Sequence, residues 1–112
     1  MQQITNPTTF ARKVYALCAQ IPEGKVSTYK EIATVLGIKS SQAVGQALRC
    51  NPFLEKVPCH RVISSTGNIG GFKGHIEGKE ITEKIILLQS EGVIVNDATI
   101  DLSTFLHTFK KG

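Results

Sequence analysis

The sequence predicts a single, mainly α-helical domain that contains a helix-turn-helix. The chain has 112 residues, which is enough for one domain and too short for two independent cores. Hydrophobic residues make up 41% of it and charged residues 20%, proportions typical of a soluble globular protein and not of a disordered chain. Apolar residues recur at helical spacing in several segments, and two of these are short and are joined by a turn containing glycine.

The first predicted helix spans residues 8–21. An apolar stripe recurs along it at helical spacing, while Arg12 and Lys13 face away from the stripe. Cys18 lies on the stripe, so we expect its side chain to pack in the core. Pro22 and Gly24 mark the turn that ends the helix.

Two shorter helices are predicted next. The first begins at a cap formed by Ser27 or Thr28 and ends at Gly37, which can take the left-handed backbone conformation at low cost. The second spans about residues 40–50 and stops at the Asn51-Pro52 pair, because proline disfavours helical geometry in the residue before it. Two short helices around such a turn are typical of a helix-turn-helix, although many helical hairpins bind no nucleic acid.

The second of these helices presents a polar ridge of Gln42, Gln46 and Arg49, with Gly45 beside it. Glutamine and arginine carry donors suited to base edges or phosphates, and a glycine inside a helix is typical of a close approach by another group. A neutral solvated face explains the same pattern equally well. The opposite side of the helix is predicted to face the core and holds Ala43, Val44, Ala47 and Leu48.

The positive charge is concentrated in the first half of the chain. The net charge is +4; residues 1–50 hold six basic and two acidic residues, whereas residues 51–112 hold seven of each. A polyanion would be attracted to the first half, although charge alone favours the interpretation as a solvated surface.

The remaining composition excludes several classes of protein. The three cysteines, Cys18, Cys50 and Cys59, are an odd number without Cys-x-x-Cys spacing, which argues against a disulfide framework and a cysteine zinc site. The three histidines are too scattered to indicate a metal site, so we expect neither a metal nor a cofactor. No apolar run approaches the roughly 20 residues of a membrane span, and the N-terminus does not resemble a signal peptide. We therefore expect an intracellular protein without a membrane partner.

The second half of the chain is predicted to be less regular. Residues 53–77 are expected to be irregular or strand-like, with a Gly/Ser-rich loop over residues 64–72. A closing helix containing Ile81, Ile85 and Leu88 is expected to end at Gly92. The apolar residues of the tail that follows, including Ile94, are expected to pack back on the domain.

Cys59 is the candidate nucleophile, since it is followed directly by His60 and Arg61. A thiol attacks as its thiolate, so a reactive cysteine needs a base or a positive charge close by. On a strand, adjacent side chains point to opposite faces, so His60 need not touch Cys59 directly. A bridging water could carry the proton, and an acid such as Glu91 could orient the imidazole. A buried structural cysteine beside a surface histidine is the more common arrangement for an arbitrary Cys-His pair. Cys50 is a second candidate for modification, although we expect it to be packed.

A wider set of residues favours a reactive Cys59 over a structural one. Asn51-Pro52, then Pro-Cys-His-Arg-Val-Ile at residues 58–63, then Gly67, Gly70-Gly71-Phe72 and a helix ending in Glu91-Gly92 resemble the O6-alkylguanine-DNA alkyltransferase family. The resemblance covers roughly residues 8–95. It implies the fold of the family's C-terminal domain, a winged-helix-like helix-turn-helix with a short β-wing, and it places the whole chain, residues 1–112, in one DNA-binding and catalytic domain.

The resemblance also implies a monomer in the cytoplasm or nucleoid of a prokaryote or the nucleus of a eukaryote. It implies a reaction and its residues as well. Cys59 would accept an alkyl group from O6 of guanine in double-stranded DNA and keep it, with His60 as its base through water, Glu91 orienting His60, and Asn51 holding the turn before the cysteine segment. Because O6 is buried among stacked bases, the nucleotide must be extruded from the duplex. Two further groups of residues are implied: Tyr29, Gln42, Ala43, Gly45, Gln46 and Arg49 for DNA binding and base flipping; Val62, Phe72, Lys73 and Tyr29 for the substrate pocket.

Three departures from the family pattern leave alternatives open. Few residues precede the first helix, where the family usually has an N-terminal domain; Gln42 stands where an arginine is typical; and Phe72-Lys73 replaces a more usual pair in the pocket loop. A non-catalytic alkyltransferase-like sensor, which recruits other repair factors, is therefore an alternative, although such proteins replace the acceptor cysteine. A transcription regulator with Cys59 as a redox or alkylation sensor leaves Asn51 and the Gly-rich loop unexplained.

Overall fold

The computed structural model describes residues 8–51, 56–72 and 77–109. In this part of the chain five α-helices and one two-stranded parallel sheet surround two adjoining apolar cores. The mainly helical fold class predicted from the sequence is confirmed. Among the described helices, none has the length and apolar character needed to cross a membrane.

Helix α1 spans Thr9–Cys18. Its N-terminus is capped by Thr8, whose Oγ1 accepts a hydrogen bond from the Ala11 amide at 3.0 Å. The helix ends three residues earlier than predicted, because residues 19–21 form a tighter turn in which the Ile21 amide donates to the Cys18 carbonyl at 3.1 Å. Cys18 is fully buried, as the apolar stripe predicts.

Helices α2 (Tyr29–Val35) and α3 (Ser41–Arg49) form the predicted helix-turn-helix. Thr28 caps α2 and Ser40 caps α3, each through a side-chain oxygen that accepts from an amide three residues on, at 3.0 Å. Gly37, with a φ of +74°, makes the left-handed turn after α2. Both helices pack on α1, and together they enclose the first core.

The sheet consists of β1 (Ser27–Thr28) and β2 (Val62–Ile63), paired in parallel. Strand β1 runs directly into α2, and β2 directly follows a 3-10 turn, Cys59–Arg61. The strand-like run expected around Cys59 is thus a tight turn in its first half, where the Arg61 amide donates to the Pro58 carbonyl at 2.9 Å. This pairing brings the start of the helix-turn-helix next to the cysteine segment.

Helix α4 (Lys79–Ser90) and the short helix α5 (Leu102–Phe105) enclose the second core. Gly92 follows α4 with a φ of +94°, as predicted for its end. The tail packs back in part. Ile100 is buried, and the main chain of Val26 donates to the Phe105 carbonyl and accepts from the His107 amide. Ile94 is an exception that corrects the sequence expectation, because 61% of its surface is exposed.

Candidate active site and nucleic-acid interface

Cys59 opens the 3-10 turn between the two cores. Its amide donates to the Val57 carbonyl at 2.8 Å, which fixes the backbone at the entrance to the turn. The residue is partly exposed, takes no part in a disulfide, and packs against the first core. It is therefore held in a defined position while part of it remains at the surface, as a nucleophile requires.

His60 is held by Glu91, as the resemblance implied. The imidazole Nε2 lies 2.9 Å from Glu91 Oε2, and both side chains are nearly nine-tenths buried. A carboxylate can only accept, so Nε2 must carry the hydrogen. The other ring nitrogen, Nδ1, then bears the lone pair of a neutral imidazole and is the atom able to take a proton.

Arg61 binds the same carboxylate. Its Nε donates to Glu91 Oε1 at 2.9 Å and its Nη2 to Glu91 Oε2 at 2.8 Å, while its Nη1 donates to the Ile21 carbonyl at 2.8 Å. From the sequence, Arg61 was identified only as a residue close to Cys59 along the chain. The structure makes it the bridge between the turn after α1, the cysteine segment and the end of α4.

These contacts set the protonation of the cluster. Burial alone would raise the pKa of Glu91, but hydrogen bonds from Arg61 and His60 hold that pKa below its usual value, so the carboxylate stays ionised. Burial lowers the pKa of His60, more than the hydrogen bond and charge of Glu91 raise it, and Arg61 and Lys84 lower it further. Near neutral pH the imidazole is therefore uncharged and available as a base.

Tyr29, the first residue of α2, lies between two glycines. A Cβ on Gly45 would lie 3.9 Å from the ring of Tyr29, and one on Gly70 would lie 3.6 Å from its hydroxyl. Burial raises the pKa of Tyr29 to about 12, with Cys59 and Cys18 adding to the effect. The phenol thus remains protonated and can act as a hydrogen-bond donor near Cys59.

Lys84 of α4 is a site residue that the sequence reasoning missed. It is fully buried, and its Nζ donates to the main-chain carbonyls of Val62, Ile69 and Gly71 at 2.5 to 2.9 Å. Burial lowers its pKa to about 7, against the opposing effect of Cys59 and Cys18. One signal in the sequence could have indicated this: Lys84 lies three residues after Ile81, on the apolar side of an amphipathic helix. Because lysine is rarely buried without partners, a lysine at such a position predicts buried hydrogen-bond acceptors.

The exposed face of α3 carries the predicted polar ridge. Gln42, Gln46 and Arg49 are exposed, and Ala43 and Gly45 are partly exposed beside them. Cys50, at the end of the same helix, is also exposed, so the expectation that it is packed was wrong. It is the C-cap residue, and the helix turns its side chain away from the core as it ends.

Asn51 connects this helix to the cysteine segment. It is buried, and its Nδ2 donates to the Val57 carbonyl at 3.4 Å, two residues before Cys59. Of the residues predicted for the pocket, Val62 and Phe72 are buried, and the Val62 carbonyl is bound by Lys84. Lys73 lies outside the described residues. Within the described ranges, His, Cys, Asp and Glu side chains do not form a group of three able to hold a metal ion.

In the described part of the chain, a two-stranded sheet joins a helix-turn-helix, a motif found in many DNA-binding domains, to a cluster of Cys59, His60 and Glu91. Residues 9–93 match the family description "6-O-methylguanine DNA methyltransferase, DNA binding domain". The chain therefore belongs to this family.

Relatives and solved structures agree with this assignment. The methylated-DNA–protein-cysteine methyltransferase of Sulfolobus acidocaldarius is 48% identical over 84 residues, which are 75% of this chain and 50% of that protein. A bifunctional methyltransferase/endonuclease of Picrophilus torridus is 40% identical over 93 residues, which are 82% of this chain and 30% of that protein. The chain thus spans half or less of the length of these relatives.

Among solved structures, Atl1 of S. pombe in complex with damaged DNA containing O6-carboxymethylguanine superimposes with a TM-score of 0.77 at 35% identity. The match covers 88% of this chain and 94% of that one. This chain and Atl1 are therefore similar over nearly the whole length of each.

Proposed function

We propose that this protein repairs DNA by transferring an alkyl group from O6 of guanine in a duplex to the sulfur of Cys59. The observation that carries the proposal is the Cys59–Arg61 turn, where a partly exposed thiol is followed by a neutral imidazole whose Nε2 is bound to Glu91. Family membership and the methyltransferase names of the relatives support it.

The residues divide the chemistry between them. The Nδ1 atom of His60, acting through a water, takes the thiol proton; the thiolate sulfur attacks the alkyl carbon; the S–C bond forms as the C–O6 bond breaks. The electrons of the broken bond stay on the guanine, which takes up one proton and remains in the DNA as the ordinary base. Tyr29 donates a hydrogen bond toward the departing guanine. Since the thioether is stable, each molecule reacts once.

The helix-turn-helix supplies the approach to DNA. The alkylated base must leave the stack before sulfur can reach it, at a cost of a few kcal/mol that contacts to the phosphates must offset. Gln42, Gln46 and Arg49 on the exposed face of α3 are placed to make those contacts, with Ala43 and Gly45 small enough for the backbone to come close. The proposed partner is duplex DNA containing O6-alkylguanine.

The test is intact-mass measurement after incubation with a duplex that contains O6-methylguanine. The wild-type protein is expected to gain one methyl group, mapped to Cys59, and Cys59→Ala to gain none. Cys50→Ser is the matched control, because it removes an exposed thiol near the end of α3 and should leave the reaction intact. Methylation at Cys50 instead of Cys59 would contradict the proposal.

A second function is favoured by one observation, the similarity in size and fold to Atl1 in complex with damaged DNA. In this alternative the domain binds alkylguanine, exposes it to other repair factors and leaves it unrepaired. The same experiment separates the two functions: tight binding to the lesion with unmodified Cys59 would favour the sensor.

A further inference from the structure

Arg61 makes contacts that a Cys-His-Glu cluster alone does not require. Two of its three nitrogens bind both oxygens of Glu91, and the third binds the Ile21 carbonyl in the turn after α1. An arginine in this fork geometry fixes the plane of a carboxylate as well as its position. The carboxylate that orients His60 is therefore itself oriented.

The backbone of Glu91 is confined from the same side. Glu91 is the C-cap residue of α4, and a Cβ on Gly24 would lie only 3.2 Å from its carbonyl oxygen. Gly24 has a φ of +89°, so the turn after α1 closes against the end of α4 with a glycine at the contact. The turn after α1 therefore contacts the backbone of Glu91 at Gly24. Through the Ile21 carbonyl it also binds Arg61, which in turn binds the Glu91 side chain.

The charges around His60 come from three side chains. Glu91 and Lys84 face it from α4, and Arg61 faces it from its own turn. A lone carboxylate beside an imidazole favours the protonated ring, which cannot act as a base. Here Oε2 of Glu91 accepts from Arg61 and His60 together, so part of its negative charge is already matched by the guanidinium.

We propose that Arg61 is a positioning residue for the alkyl transfer proposed above: it holds Glu91 in place and adds a fixed positive charge that, together with burial, keeps His60 a neutral base. Arg61 does not touch the reacting atoms in this scheme. It acts through Glu91 and His60, and the proposal rests on the proposed function of Cys59. A purely structural clamp is the competing explanation, and the two differ in their dependence on pH.

The experiment compares single-turnover methyl transfer in the wild type and three variants between pH 5.5 and 9, at saturating O6-methylguanine duplex. Arg61→Gln removes the charge but keeps an amide that can donate to Glu91. Arg61→Lys keeps the charge but loses the fork. Lys79→Met is the matched control, since it removes one exposed positive charge from the start of the same helix that ends at Glu91.

In Arg61→Gln, the acid limb of the rate profile should move to higher pH, so that the loss of rate is about threefold or more greater at pH 6 than at pH 8.5. Arg61→Lys should lose rate by a similar factor at every pH, and Lys79→Met should match the wild type. Equal losses at all pH values in Arg61→Gln would overturn the proposal and leave Arg61 a structural clamp.

A direct titration of His60 by NMR makes the result independent of alkyl transfer. Its midpoint should rise in Arg61→Gln and stay near the wild-type value in Arg61→Lys. Should Arg61→Gln fail to fold, citrulline placed at position 61 by semisynthesis keeps two N–H donors for Glu91 without the charge, and the same rise is expected. An unchanged midpoint refutes the role of Arg61, whereas a wild-type protein that transfers no methyl group refutes the proposed function.

Discussion

Glu91→Gln tests the cluster through stability. In the wild type one carboxylate accepts three hydrogen bonds, two from Arg61 and one from His60, at 2.8 to 2.9 Å. Glutamine offers a single acceptor oxygen, and in either orientation its amide nitrogen would face an N–H group of Arg61, which cannot accept from it. At least one bond is lost, and the others lose the negative charge of the acceptor.

The expected cost follows from those three bonds. A hydrogen bond to a charged group contributes about 1.5–3 kcal/mol, and the low end applies because the side chains keep some contact with water. We expect Glu91→Gln to lower the free energy of unfolding by about 2–4 kcal/mol at pH 7. Such a loss lowers the melting temperature of a domain of this size by at least about 8 °C.

The effect must also depend on pH in a defined direction. The pKa of Glu91 is lower in the folded protein than its usual value of 4.5, so its contribution to stability is complete above that value and is lost as the pH falls through the folded pKa. The difference between wild type and variant should therefore narrow as the pH is lowered from 5 toward 3.

Urea unfolding followed by circular dichroism at each pH measures the difference. Glu77→Gln, at an exposed glutamate just before α4, is the control and should change stability by less than about 0.5 kcal/mol. A Glu91→Gln protein within about 0.5 kcal/mol of the wild type at pH 7 would refute the reasoning. So would a difference that persists unchanged at low pH.

Three further predictions test other parts of the structure. Gly67→Ala should lower the melting temperature more than Gly92→Ala: both glycines have a φ of +94°, but a Cβ on Gly67 would lie 2.8 Å from the Ile100 carbonyl oxygen, whereas one on Gly92 meets nothing within 4 Å. Lys84→Met should lower the free energy of unfolding by about 2–4 kcal/mol in urea titrations, because three main-chain carbonyls lose their donor. Gln42→Arg should raise affinity for duplex DNA and steepen its salt dependence by about one phosphate contact, measured by fluorescence anisotropy; unchanged binding would show that this position does not touch the backbone.

The helical half of the fold was predictable because its signals are local. Thr28 and Ser40 each cap a helix from a position three residues before the amide they bind, and Gly37 marks the turn between the helices. Local chemistry of this kind leaves a pattern in a short stretch of sequence. The end of α1 was placed three residues too late because its last turn is tight and still buries Ile21.

The site was predictable only in part. The segment around Cys59 and the pairing of His60 with Glu91 followed from resemblance to a family, since these two residues lie 31 positions apart. The roles of Arg61 and Lys84 depend on main-chain carbonyls, at Ile21 and at residues 62, 69 and 71, which no side-chain motif records. The assignments of the DNA-facing and pocket residues stay predictions.

The two-stranded sheet, with two residues in each strand, fixes the position of Tyr29 relative to the cysteine segment. Ser27 pairs with Val62 and Thr28 with Ile63, and the next residue along β1 is Tyr29, while the residue before β2 is Arg61. The sheet therefore joins the start of α2 to the turn that begins at Cys59, with no loop between either strand and the element next to it. Adding one residue between Thr28 and Tyr29 would shift the phenol relative to the thiol while leaving both elements intact, which makes register here as important as the identity of either side chain.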